Sequence, residues 1–252
     1  MSVCTPKSFD LAGKVALITG ASYGIGFAIA TAMANCGATI VFNDIKQELV
    51  DKGLAAYKEA GINAHGYVCD VTNEDAVNEM VKKITAEVGH INVLVNNAGI
   101  SFVGLLQDMS DAQWSEILNT NLSSVFYCCR SAISHMVSQK SGKIINISSM
   151  WGTVGASCEA AYSATKSGMN GLTKALAKEL APSNVQVNAI ACGVIDTAMN
   201  AQFSEEEREA LREEIPAGRF ADSEEVAALA LTLASGHSYL TGQIIGLDGG
   251  YI

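Results

Sequence analysis

The sequence predicts a single-domain α/β fold, in which a doubly wound parallel sheet of about seven strands carries helices on both faces. The first observation is that short runs rich in β-branched residues alternate with longer segments of helical periodicity. The second is that these runs are apolar throughout, which is typical of strands covered on both faces. We predict strands at 14–19, 38–43, 64–69, 91–96, 143–148, 185–190 and 244–247, and helices at 26–36, 75–88, 113–139 and 163–180.

Composition and charge limit the domain organisation and the kinds of partner that this chain can have. The chain has 252 residues, of which 49% are hydrophobic and 17% charged, and no linker-like tract divides it. We therefore predict one domain over 10–252, after an N-terminal extension at 1–9. The net charge of −10 argues against nucleic acid or an anionic membrane surface as a partner. No apolar run approaches the ~20 residues of a membrane span.

The cysteines and histidines show no ligand spacing. Seven cysteines without a C-x-x-C pair are typical of a reducing cytoplasm, which is the location we predict. The four histidines are dispersed and form no local metal motif. We predict no metal cofactor, although ligands from distant segments can converge in a fold.

A glycine-rich turn follows the first predicted strand and opens a helix. Its glycines permit a tight turn, close approach of a pyrophosphate and close helix packing, and the helix dipole favours the phosphate charge. The spacing is G-x-x-x-G-x-G and not the general G-x-G-x-x-G, and a purely structural connection is the alternative. The predicted dinucleotide contacts in this turn are Gly20, Ser22, Tyr23, Gly24, Ile25 and Gly26.

Acidic residues follow the second and third predicted strands. Asp44 can accept hydrogen bonds from ribose hydroxyls and would repel a 2′-phosphate, so the sequence favours NAD(H). Lys46 nearby leaves NADP(H) open, and a solvated turn aspartate is the alternative. Asp70 and Val71 are predicted to meet the adenine, although Asp70 also suits a helix N-cap.

Tyr162 and Lys166 stand four residues apart on a predicted helix, so their side chains share a face. A phenol with an ordinary pKa of ~10 keeps its proton at neutral pH. An adjacent cation lowers that pKa, which equips the pair to move a proton on or off an alcohol oxygen. An exposed helix face is the alternative, since the spacing is common by chance. Ser149 precedes the tyrosine and adds a hydroxyl.

Several spaced motifs together resemble the short-chain dehydrogenase/reductase family. They are the glycine-rich turn, Asn96-Asn97-Ala98-Gly99, Ser149, Tyr162-x-x-x-Lys166 and Asp248-Gly249-Gly250. The resemblance implies a Rossmann-type fold and hydride transfer between a nicotinamide and a carbon bearing oxygen. It also implies that Tyr162 is the general acid/base, that Lys166 lowers its pKa and holds the nicotinamide ribose, and that Ser149 orients the substrate oxygen.

The resemblance extends to further positions. Asn121 is similar to the asparagine that anchors a water in the family's proton relay; stabilising a long helix is its alternative role. Cys192 stands where the family usually has a proline, before a loop similar to the one that contacts the nicotinamide carboxamide. The further cofactor contacts implied are Asn97, Ala98, Gly99, Gly193, Ile195 and Thr197.

The substrate follows less directly from the sequence. The first half resembles gluconate 5-dehydrogenases, and the second half resembles 3-oxoacyl-acyl-carrier-protein reductases, as a fusion of two family members also would. We expect a small ketone or alcohol as substrate, with a 3-oxoacyl ester or thioester as the first candidate and a sugar acid or polyol as the alternative. The strong acidity disfavours an acidic carrier protein. The predicted pocket residues are Ser149, Trp151, Val154 and Met199, under a lid at about 195–220.

Two further expectations concern assembly and activity. The apolar content of the long predicted helices and of the C-terminal segment resembles the family's subunit contacts, so we expect a homotetramer. A non-catalytic dinucleotide sensor is the alternative of another class, since a fold alone does not establish activity. The complete serine, tyrosine and lysine set favours the enzyme.

Overall fold

The computed structural model describes residues 9–197, 204–236 and 238–252. Within them, seven parallel strands form one sheet in the order β3-β2-β1-β4-β5-β6-β7. The order reverses between β1 and β4, because the chain returns from the β3 edge to the far side of β1. This confirms the predicted doubly wound sheet, and ligands bind such sheets at the carboxyl ends of the strands beside the reversal.

The element bounds agree with the predicted strands to within two residues. The strands are β1 Val15–Thr19, β2 Thr39–Asp44, β3 Ala64–Val68, β4 Ile91–Asn96, β5 Gly142–Ser149, β6 Val185–Cys192 and β7 Ile244–Leu247. The helices are α1 Gly24–Asn35, α2 Gln47–Glu59, α3 Glu74–Glu87, α4 Asp111–Leu118, α5 Ser124–Gln139, α6 Trp151–Val154, α7 Ala160–Leu180, α8 Glu205–Glu214 and α9 Ser223–Ala234.

Two apolar layers enclose the sheet. Helices α1, α2 and α9 pack on one face, and α3, α5 and α7 pack on the other. Along β1, Ala16 and Ile18 belong to the first layer and Leu17 to the second, as the alternation of side chains along a strand requires. Burial on both faces explains why the inner strands of the sheet are continuous apolar runs in the sequence.

The predicted uninterrupted helix at 113–139 is wrong in one respect. A π-helical turn, Asn119–Ser123, separates α4 from α5. Such turns carry one residue more per turn and occur often at functional sites. No glycine or proline marks the break in the sequence, so hydrophobic periodicity alone could not find it.

The remaining predictions concern the N-terminal extension, Met199, membrane spans and metal sites. Of the predicted extension, only Phe9 is among the described residues, and Met199 lies outside them. In the described ranges, no helix is long and apolar enough to cross a membrane. The same ranges contain no group of three or more histidine, cysteine, aspartate or glutamate side chains suited to hold a metal ion.

Candidate active site

Ser149 and Tyr162 meet at the carboxyl edge of the sheet. Ser149 is the last residue of β5, and Tyr162 lies in the first turn of α7, which begins three residues earlier than predicted. The Ser149 hydroxyl is near enough to the phenol of Tyr162 to act on its pKa, which it lowers. The Trp151 backbone N–H also donates to Ser149 Oγ at 3.2 Å, which fixes the orientation of the serine.

Lys166 lies beneath this pair and is 4% exposed. Its ammonium donates to the Ile147 carbonyl at 2.8 Å and stands 5.5 Å from the centroid of the Tyr162 ring. Burial lowers the pKa of Lys166 to about 8, and the neighbouring Cys192 partly offsets that effect. The cation therefore faces the ring, and its own charged form is disfavoured by desolvation.

The pKa of Tyr162 departs from the sequence expectation. Burial raises it well above the usual range, the Ser149 hydroxyl only partly offsets this, and Cys192 and Glu159 raise it further. Lys166 is not among the causes of the shift, so the expected lowering by its ammonium is not found. Tyr162 therefore holds its proton at neutral pH, which suits a proton donor.

Asn121, in the π-helical turn, is fully buried. Its Oδ1 accepts from the Ile100 N–H and its Nδ2 donates to the Ile100 carbonyl, both at 2.8 Å. A Cβ placed at Gly99 would lie 3.3 Å from Asn121 Oδ1 and 3.7 Å from Lys166 Nζ. The amide thus fixes the loop after β4 against the lysine, and its water-anchoring role stays a prediction.

The glycine-rich turn is held by the side chains of Thr19, Asn97 and Tyr57, of which the sequence analysis selected only Asn97. Thr19 Oγ1 accepts from the N–H groups of Asn97 and Ala98, each at 3.0 Å. Asn97 Nδ2 donates back to the carbonyls of Thr19 and Gly20. Tyr57 donates to the Ala21 carbonyl at 2.7 Å, across 36 residues of sequence. These bonds preorganise the backbone of the turn.

The turn fits a dinucleotide phosphate. Gly24 has φ +61° and faces open space where a Cβ would stand, so the backbone is accessible there. Ser22 Oγ is buried and has no hydrogen-bond partner among the described residues, and a phosphate oxygen would supply one. Tyr23 and Ile25 flank these positions at the start of α1.

The acidic positions after β2 and β3 differ in their environment. Asp44 is 9% exposed, and its Oδ1 accepts from the Ile45 N–H at 2.9 Å. Asp70 Oδ1 accepts from both the N–H and the hydroxyl of Thr72. The residue that caps α3 is Asn73, so the N-cap alternative for Asp70 is wrong.

The loop predicted to meet the nicotinamide carboxamide follows β6. A Cβ at Gly193 would lie 2.6 Å from Asp248 Cα, which explains the glycine and why Asp248 stands beside this loop. Ile195 forms a bridge to Ala221 and is buried in the apolar layer of α1 and α9. Thr197, half-buried, is the last described residue of the loop.

Trp151 forms an aromatic wall beside Ser149. Its ring meets the ring of Tyr251 edge-on, with centroids 5.6 Å apart, and the Tyr251 hydroxyl donates to the Glu214 carboxylate at the end of α8. Val154 is 59% exposed on the same segment. Tyr251 was missed by sequence reasoning because a contact across 100 residues leaves no local signal.

Comparison with known proteins identifies this arrangement. A family model described as enoyl-(acyl carrier protein) reductase matches residues 20–252. The 3-oxoacyl-(acyl-carrier-protein) reductase of Thermotoga maritima is 43% identical, over 96% of this chain and 99% of its own length. The chain belongs to the short-chain dehydrogenase/reductase family. Its Aquifex aeolicus relative of the same description is 42% identical, over 95% of this chain and 98% of that protein.

A solved member of the short-chain dehydrogenase/reductase family shares the whole fold. The gluconate 5-dehydrogenase of Burkholderia cenocepacia, in complex with NADP and tartrate, superposes with a TM-score of 0.91 at 33% identity and covers 96% of each chain. The 3-oxoacyl reductases and the gluconate 5-dehydrogenase each align with both halves of the chain. Family membership establishes the reaction class, an oxidoreductase that interconverts a ketone and a secondary alcohol.

Proposed function

We propose that this short-chain dehydrogenase/reductase reduces a 3-oxoacyl ester or thioester, or a related ketone, with a nicotinamide dinucleotide. The observation that carries the proposal is that Ser149, at the end of β5, and Tyr162, in the first turn of α7, lie beside the buried Lys166, whose ammonium stands 5.5 Å from the centroid of the Tyr162 ring. Two hydroxyl donors there can hold one carbonyl oxygen and stabilise the negative charge that develops on it. The bound dinucleotide supplies the hydride to the carbonyl carbon.

Ser149, Tyr162 and Lys166 have different roles at the carbonyl oxygen of the substrate. Ser149 orients that oxygen, and Tyr162 gives it a proton as the alkoxide forms. Lys166 contributes positive charge beneath the ring and holds the nicotinamide ribose. In the reverse direction Tyr162 accepts the proton of a secondary alcohol.

The proposed substrate class is based on two similar proteins and on the apolar side chains beside Ser149. The Thermotoga and Aquifex relatives are named for 3-oxoacyl groups, and Trp151 with Val154 offers an apolar surface to an acyl chain. The net charge of −10 disfavours an acidic carrier, so we propose a free ester or thioester. The Burkholderia relative supports a sugar acid or polyol as the second candidate.

A substrate panel tests the proposed reaction. The purified protein is assayed at the reduced-nicotinamide absorbance band with acetoacetyl esters and thioesters, 5-ketogluconate and steroid ketones, each with NADH and NADPH. We expect the highest kcat/KM with an acetoacetyl compound. Preference for 5-ketogluconate would favour the second candidate. Dinucleotide binding without turnover of any ketone would favour the non-catalytic sensor.

Asp44 is proposed to make NAD(H) the preferred coenzyme. Its buried carboxylate would bind ribose hydroxyls and repel a 2′-phosphate. We expect Asp44→Ala to raise the ratio of kcat/KM for NADPH over NADH by about tenfold or more, equivalent to ~1.4 kcal/mol. Asp51→Ala, on the exposed side of α2, is the control. An unchanged ratio in the Asp44 variant would remove its role in coenzyme choice.

We propose that the segment at about 195–220 acts as a lid. Its helix α8 has no buried residue, and the Tyr251 hydroxyl, from outside the segment, donates to the Glu214 carboxylate at the end of that helix. Tyr251→Phe keeps the ring but removes the hydrogen bond to Glu214, so we expect KM for the ketone to rise about threefold while kcat changes less. Tyr239→Phe, at a fully exposed tyrosine, is the control. Identical KM values in the two variants would contradict the contribution of Tyr251.

Assembly and location complete the proposal. Trp114, Phe126 and Val137 are exposed apolar side chains on α4 and α5, and they support a homotetramer built through these helices. The six cysteines in the described ranges are free thiols, which supports a cytoplasmic location. The sedimentation velocity of the purified protein measures the assembly directly.

A further inference from the structure

Glu159 lies close to the reacting centre and has no role in the proposed proton transfer. It stands three residues before Tyr162, as the residue that directly precedes α7. Its charge is near enough to raise the pKa of Tyr162. Residue 159 is half-buried, and burial raises the pKa of its carboxyl, with partial relief from Ser101.

The carboxylate of Glu159 is fixed by the opposite wall of the site. Ser101 Oγ donates to Glu159 Oε2 at 3.1 Å, and the Gly104 N–H donates to the Cys158 carbonyl at 2.8 Å. Ser101 follows Ile100, whose backbone Asn121 holds with two hydrogen bonds. The segments 100–104 and 156–159 therefore form one polar rim beside Tyr162, and Glu159 is the charged group in it.

The carboxylate of Glu159 has few partners at this rim. Among the described residues, Glu159 forms no salt bridge, and Ser101 is the one side chain that donates to it. A carboxylate offers about four acceptor positions, so one serine leaves most of its acceptor capacity unused. Two like charges several ångströms apart in a partly desolvated site repel each other strongly.

We propose that Glu159 is a specificity-determining residue, which excludes keto substrates that carry a negative charge next to the reacting ketone and thereby selects neutral esters and thioesters. This inference rests on the proposed ketone reduction. It separates two closely related compounds: ethyl acetoacetate, which is neutral, and acetoacetate, whose carboxylate is two bonds from the ketone carbon. The first would bind productively, and the second would place its charge beside Glu159.

The test compares these two compounds at pH 8 with saturating NADH. The quantity measured is the selectivity, defined as kcat/KM for ethyl acetoacetate divided by kcat/KM for acetoacetate. We expect Glu159→Gln to lower the selectivity about tenfold or more and Glu159→Asp, which keeps the charge, to retain most of it. A change in proton transfer alone cancels in the ratio, because both compounds use Tyr162. Glu59→Gln removes one charge from the exposed end of α2 and is the matched control.

The outcomes are distinct. A fall in selectivity with Glu159→Gln but not with Glu59→Gln supports the inference, and Glu159→Ala provides the same comparison should the glutamine variant not fold. Equal selectivity in the wild type and the Glu159 variants overturns the inference and leaves the proposed function standing. A wild-type protein inactive with every ketone of the panel overturns the proposed function, and this inference with it.

Discussion

Replacing Tyr162 with phenylalanine is expected to lower kcat for ketone reduction by about a thousandfold. General acid catalysis by a positioned side chain contributes roughly 10²–10⁴ to the rate, and Tyr162 holds its proton above neutral pH because burial raises its pKa. Phenylalanine keeps the ring that lies against Lys166, so the dissociation constant of the dinucleotide should change by no more than about threefold. Steady-state kinetics and a fluorescence titration with NADH measure the two quantities.

The control for this variant is Tyr67→Phe. Tyr67 donates to Glu87 on an exposed surface, away from the carboxyl edge of the sheet at β5. We expect wild-type kcat in this variant. Comparable kcat values for the wild type and Tyr162→Phe would refute the assignment of Tyr162 as the proton donor.

Replacing Lys166 with methionine is expected to stabilise the protein at pH 7 and to lower kcat/KM by about a hundredfold or more. Burial lowers the pKa of Lys166 from 10.5 to about 8, and such a difference corresponds to about 3 kcal/mol against the charged form. The lost hydrogen bond to Ile147 costs about 1–2 kcal/mol. The free energy of unfolding should therefore rise by about 1–2 kcal/mol while activity is lost.

The pH dependence of the free energy of unfolding tests whether the lowered pKa of Lys166 causes this stabilisation. Because the folded pKa of Lys166 is lower than the unfolded one, the unfolded chain binds more protons between about pH 8 and 10.5. The stability of the wild type gains a favourable contribution as the pH rises through that window, and Lys166→Met lacks this contribution. Urea unfolding should show that the stability of Lys166→Met relative to the wild type decreases from pH 7 to pH 9.5. The control Lys174→Met, at an exposed position of α7, should have the same free energy of unfolding as the wild type at both pH values. Marked destabilisation of Lys166→Met at pH 7 would show that the ammonium is net stabilising.

Local sequence patterns were sufficient for the strands and for the principal site positions. Apolar runs marked the inner strands β1, β2, β4, β5 and β6, which are buried on both faces, whereas the edge strands β3 and β7 are less buried. The four-residue spacing placed Tyr162 and Lys166 on one helix, and the carboxyl ends of β1 and β5 placed the glycine-rich turn and Ser149 at the same edge of the sheet. These features depend on short stretches of sequence, which is why they could be predicted.

Contacts between distant segments could not be predicted. Tyr57 reaches Ala21 across 36 residues, and Ser101 reaches Glu159 across 58. The pairing of Trp151 with Tyr251 depends in the same way on where the C-terminal segment lies. Each of these contacts is set by the packing of whole elements and leaves no periodicity in the chain.

The electrostatics of the site also required the structure. The spacing of Tyr162 and Lys166 predicted that the cation would lower the pKa of the phenol. The ammonium instead donates to the Ile147 carbonyl, and burial raises the pKa of the phenol. Neither the depth of burial nor the choice of a backbone partner is encoded in a motif.

Transfer of isotope from the coenzyme to the product tests the central claim most directly. The protein is incubated with ethyl acetoacetate and NADH deuterated at the reactive C4 position, and the product is analysed by mass spectrometry and NMR. We expect one deuterium on the carbinol carbon with the wild type and almost none, in the same time, with Tyr162→Phe. Product without deuterium, or labelled product formed equally fast by both proteins, would contradict hydride transfer assisted by Tyr162.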